Sequence, residues 1–150
     1  MLKDDGDIAR GLGFVSMYSA WVEEDIDDIL RLLGPVEPFM EKQQRWPISR
    51  KLDHVAEIVR CLNSGELIGL PKDLEVAKVL FERRNEVIHG RIYAGFDKAD
   101  YVQSGRPNMP TRQITSDELY RLANEFWNYR GAFIAPQIFR LPRAVSEFLS

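Results

Sequence analysis

From Ile8 onward, apolar or small residues recur at steps of four and three: Ile8, Leu12, Val15, Ser19, Val22, Ile26, Ile29 and Leu33. This spacing keeps one side of a helix against a core and predicts a long first helix. Gly34 and Pro35 end it, since glycine is common just past a helix and proline cannot continue one. A second helix is expected over Val36–Arg45, stopping short of Pro47 because the residue ahead of a proline leaves the helical region. A third spans Ser49–Leu62, with Leu52, Val55, Ala56, Val59 and Leu62 on one side. The stretch NSGELIGLP reads as a turn into a fourth helix, Lys72–His89, closed by Gly90.

The pattern then changes. RIYAGFDKADYVQSG alternates enough for a short hairpin, and GRPNMP is a loop by composition. A connection this long inside a small domain is more often functional than accidental. Thr115 or Ser116 caps the next helix, with Asp117 and Glu118 in its first turn and Leu119, Leu122, Phe126, Tyr129 and Phe133 as its stripe. Pro136 and Pro142 break up the tail, leaving AVSEFL as one short helical piece. The expected fold is all-α: a single domain over 1–150, an antiparallel bundle of four to five helices with an irregular loop or short hairpin at about 91–114.

Composition bounds the setting. The chain has 150 residues, 45% hydrophobic and 29% charged, which suits one globular core. No run approaches the ~18–20 apolar residues of a membrane span, and the acidic start MLKDDGDIAR is unlike a signal peptide. One cysteine, Cys61, rules out an internal disulfide. A soluble cytoplasmic protein is expected. The net charge of −3 lends no support to nonspecific nucleic-acid binding. Its distribution is uneven, however. Residues 1–30 hold eight acids and two bases, and the remainder holds fifteen acids and eighteen bases.

Candidate chemistry centres on FERRNEVIHGR, residues 81–91. At about 100° per residue, Val76, Val87, Leu80, Ala77, Ile88, Phe81 and Leu74 share one arc of the fourth helix, and Arg84 lies in its middle. Asn85 and His89 fall on the polar edge. A buried charge needs a partner, so Arg84 reaches an anion or lies in a surface open to solvent. Three explanations stay open here: a core arginine snorkelling or paired with a carboxylate, a subunit interface, and a phosphate site suited to a planar fork of donors. His89, taken alone, needs no role beyond stabilising the helix dipole by ~0.3–1 kcal/mol.

The six residues Arg84-Asn85-Glu86-Val87-Ile88-His89 resemble the signature of the HEPN superfamily: arginine, a polar residue often asparagine, three more, then histidine, near the end of a helix. The helices before the signature, the glycine after it and the long closing helix resemble that family as well. The resemblance implies a homodimer formed through the helix carrying Arg84 and His89, with two signatures facing one groove. Many members are metal-independent endoribonucleases in toxin–antitoxin, phage-defence or RNA-processing settings, and an antitoxin or small nucleotidyltransferase partner is implied there. Others are inactive dimerisation or RNA-binding modules. RNA is the implied substrate, with no cofactor and no metal.

The chemistry suits these residue types. RNA carries its own nucleophile, the 2′-hydroxyl, so a catalyst has to move protons and stabilise charge. An imidazole with pKa near ~6.5 does either proton task at neutral pH. Arg84 would meet the oxygens of the phosphorane, and Asn85 would orient the imidazole or donate to phosphate. Arg83, Arg91, Tyr93, Arg106 and Arg112 are RNA-contact candidates because they flank the signature.

Other features read as structural. EEDIDD, residues 23–28, stacks carboxylates at helical spacing but has no histidine nearby, so a solvated face is preferred to a metal site. A docking surface for a basic partner is a further reading of that run. His54 has serine rather than arginine at the matching position, and Trp21, Trp46 and Trp127 fit core or interface. No phosphate-binding loop, dinucleotide fingerprint or paired CxxC is present.

Overall fold

The computed structural model describes residues 7–93, 101–103 and 111–150, with 91–93 as backbone only. Within these residues the chain is mainly helical: α1 Ile8–Leu32, α2 Glu41–Gln44, α3 Ile48–Leu62, α4 Leu70–His89, α5 Ser116–Tyr129 and α6 Gln137–Leu149. A small antiparallel sheet, β1 Arg91–Tyr93, β2 Tyr101–Gln103 and β3 Arg112–Gln113, follows α4 in the order β1-β2-β3. The alternation after Gly90 is thus a hairpin, with Ile92 opposite Val102, plus one further strand. The stretch GRPNMP, expected as a loop, lies outside the described residues. No described helix is long and apolar enough to cross a membrane.

Two compact units divide the chain. The first takes residues up to Ala20 together with Leu80–Phe126. Its core is made by Val15 of α1, Leu80, Phe81 and Val87 of α4, Val102 and Ile114, and Leu119, Leu122 and Phe126 of α5. Burying such side chains stabilises by roughly 1.5–3 kcal/mol each. Phe81 meets Phe126 edge to face at 5.1 Å, and Phe14 meets Tyr120 at 5.9 Å. Gly11 lets α1 approach α5 closely: a Cβ there would lie 2.8 Å from Leu119 Cβ. Thr115 caps α5 as expected, its Oγ1 accepting from Glu118 N at 3.2 Å.

The second unit comprises Trp21–Val79 and Trp127–Ser150. The predicted first stripe is buried along this part of α1, at Val22, Ile26 and Ile29, and at Leu33 just past its end, and Leu52, Val55 and Val59 of α3 are buried in the same unit. Asn63 ends α3 in the left-handed conformation at φ 46°, which asparagine tolerates. The second predicted helix shrinks to the single turn α2. Pro38 disfavours helical geometry at Glu37, and Gln43 reaches back to the backbone N–H of Met40 at 2.5 Å. The tail departs from expectation in the opposite sense. Helix α6 continues through Pro142 rather than breaking there. An interior proline costs about 3 kcal/mol. Burial of Gln137, Leu141, Ala144 and Val145, with packing on α3 and the 3₁₀ turn Gly65–Leu67, offsets that cost.

Candidate functional site

The signature lies on the last two turns of α4, in the first unit. Leu80, Phe81 and Val87 are buried there, so this part of the helix is pinned by its apolar arc. The arc is narrower than the wheel suggests, because Val76, further back on the helix, is 39% exposed. Arg84 is half-buried. Its guanidinium lies over the Phe81 ring, 5.1 Å from the centroid, and its Nε donates to Asn85 Oδ1 at 3.0 Å. The side chain thus runs along apolar surface and presents its head to a polar neighbour, as snorkelling arginines do. The Asn85 amide oxygen thus accepts from Arg84, a partner additional to the imidazole or phosphate expected for this residue.

His89 is exposed as the final residue of α4. Gly90 follows for a steric reason: a Cβ at that position would sit 2.5 Å from Val102 Cγ2. The missing side chain lets β2 close against the helix end and turns the chain into β1 directly after the imidazole.

The flanking arginines form ion pairs. Arg83 reaches Glu125 of α5 at 2.5 Å. Arg112, on β3, pairs with Glu86 inside the signature and with Glu118 of α5 at 2.7 Å. It also donates to the Gln113 carbonyl at 3.2 Å. The Glu86 hydrogen bond holds the Arg112 pKa above its ordinary value, with burial opposing and Glu118 adding to the rise. Two of the five RNA-contact candidates therefore already face carboxylates. The side chains of Arg91 and Tyr93 and the whole of Arg106 lie outside the described residues, although the backbone puts Arg91 and Tyr93 on β1. Glu118 and Glu125, which organise this surface, carry no local signal; Glu86 and Arg112 are 26 residues apart in the chain.

The acidic run of α1 is less open than a solvated face. Asp25 binds Arg130 side-on, Asp27 takes Lys51 at 2.7 Å and Asp28 takes Arg31 at 2.6 Å. Internal cations thus occupy at least three of its five carboxylates. No group of three or more potential metal ligands comes together among the described residues. His54 packs edge to face on Trp46 at 5.2 Å, a structural role. Comparison with protein-family models, with curated proteins and with solved structures returns no match for this chain.

Proposed function

We propose that the chain is a HEPN-like, metal-independent endoribonuclease that works as a dimer, with Arg84, Asn85 and His89 as its catalytic set. One observation carries the reading. The Arg-Asn-x-x-x-His stretch ends a helix with its guanidinium tethered by the adjacent amide and its imidazole exposed just over one turn further on. In the proposed step, His89 of one protomer takes the 2′-hydroxyl proton as O2′ attacks phosphorus. Arg84 meets the charge growing on the nonbridging oxygens. The 5′-oxygen leaves with a proton from the partner subunit's His89. A 2′,3′-cyclic phosphate and a 5′-hydroxyl result, and atoms and charge balance without an added reactant. Cytoplasmic placement and a toxin–antitoxin or phage-defence setting, with an antitoxin or nucleotidyltransferase as partner, belong to the same proposal.

A second reading has its own support. The carboxylate partners of Arg83 and Arg112 weaken the basic surface that RNA would meet, which favours the dimerisation form of an inactive module. Single-stranded RNAs incubated with wild type, Arg84→Ala and His89→Ala separate the two. The nuclease reading expects cleavage by wild type only, with circular dichroism and dimer mass unchanged in both variants. An intact dimer that leaves every RNA whole favours the module.

A further inference from the structure

Helix α5 does not run straight into α6. Arg130–Ile134 form a π turn, closed by Ala135 N donating to the Arg130 carbonyl at 2.9 Å. Such widened turns recur at functional sites. In the second unit this one borders a cavity of about 320 Å³, whose lining includes Asp25, Trp127, Arg130, Gly131, Ile134 and Ile138. The lining combines apolar side chains, Trp127, Ile134 and Ile138, with the ion pair of Asp25 and Arg130. Gly131 leaves it open: a Cβ there would meet nothing within 4 Å.

Arg130 is the organised group. Its Nε donates to Asp25 Oδ2 at 2.7 Å and its Nη2 to Asp25 Oδ1 at 3.3 Å. The guanidinium lies 5.4 Å from the Trp21 ring and 5.8 Å from the Trp127 ring. Of the five N–H donors of an arginine, this side-on pair uses two. The other three have no protein acceptor among the described residues, and the side chain is 34% exposed. A planar donor edge is therefore held at fixed orientation beside Trp127, which is 51% exposed. The cluster is already neutralised by Asp25, with Glu24 adding negative charge nearby. A phosphate or carboxylate would meet that charge, whereas a neutral ring bearing hydrogen-bond acceptors would not.

We propose that this cavity binds a guanine base, stacked on Trp127 with O6 and N7 on the outward donors of Arg130. Guanine is the base with two adjacent acceptors matching an arginine fork. Adenine sets a donor beside its N7, and the pyrimidines lack the pair. The inference does not rest on the nuclease reading, because a nucleoside has no scissile linkage. If both readings hold, the cavity adds a base preference to the RNA the chain recognises.

Titration of the full chain with guanosine, adenosine and cytidine, followed by tryptophan quenching and calorimetry, tests it. Guanosine is expected to bind about tenfold or more tighter than adenosine. Gly131→Leu, which adds a side chain at a lining position where a Cβ meets no neighbour within 4 Å, should weaken guanosine at least tenfold with unchanged circular dichroism. Arg130→Lys should bring guanosine and adenosine to similar affinity, because the ammonium lacks the fork. Equal binding of all three nucleosides, or guanosine binding untouched by Gly131→Leu, would overturn the proposal. So would a site that takes inorganic phosphate or an aromatic peptide in preference to guanosine.

Discussion

The end of α4 and the π turn after α5 each hold an arginine over aromatic rings, by different means. Arg84 is steadied by Phe81 and Asn85, three residues before it and one after, on its own helix. Arg130 is clamped by a carboxylate 105 residues away and by two tryptophans, one from each end of that separation. The first arrangement arises within one helix and leaves the imidazole at its end exposed. The second is a tertiary tie in the second unit. Groups of the first kind can be changed with small effect on folding, so a large effect on chemistry is informative there. Groups of the second kind are read through stability.

The sharpest contrast comes from His89→Ala. Loss of a general acid–base group lowers cleavage by about 10²–10⁴-fold, whereas loss of a helix-terminal histidine costs no more than ~1 kcal/mol. Kinetics and denaturant unfolding on one sample check both halves. A comparable loss of stability would move His89 into the structural class. Asp25→Ala is the counterpart. It leaves the Arg130 charge partly buried, with side-chain exposures of 34% and 16% in the intact pair. Screening at that exposure puts the expected loss at about 1–3 kcal/mol, below that of a fully buried pair. A change in midpoint near zero in urea would mean that the tie holds nothing together.

Gly90→Ala sharpens the account of the site's support. The added methyl meets Val102 and must shift β2 or the helix end, for about 1–3 kcal/mol. Nuclease activity should fall with it; full stability in the variant would show that the close approach is dispensable. The smallest effect is expected at Lys78. The Asp53 hydrogen bond raises its pKa above 10.5, against opposition from burial, and Glu75 contributes. A raised lysine stabilises fully below the unfolded-state pKa, and that share is lost as pH rises through the folded value. The stability difference between wild type and Lys78→Met should therefore be about 0.2–1 kcal/mol at neutral pH and shrink above about pH 10.5. A difference that grows there would reverse the sign of the linkage.

Local regularities were legible in the chain and distant pairings were not. The stripe from Ile8 to Leu33, the cap at Thr115 and the hairpin after Gly90 each follow from residues within a few positions of one another. The helix through Pro142 was not legible, because burial of Leu141 and Val145 by other elements overrides the proline's local preference. The shrinkage of α2 has a visible cause in Pro38, which disfavours helical geometry at Glu37, whereas the expected helix takes only Pro47 as its limit. In the candidate site, the order Arg84, Asn85, His89 could be read directly. The carboxylates facing Arg83 and Arg112 could not, since Glu125 and Glu118 reach them only through folding. The same holds for Asp25 and Arg130, whose partnership turns an acidic run into half of a tertiary clamp.

The ends left on a cut RNA, together with a matched substrate carrying a single 2′-deoxynucleotide at the cleaved linkage, decide whether His89 and Arg84 act on the 2′-hydroxyl. A 2′,3′-cyclic phosphate and a 5′-hydroxyl are expected from the RNA, with no cutting at the deoxy linkage. Cleavage at that linkage, or fragments bearing 5′-phosphates, would contradict that action.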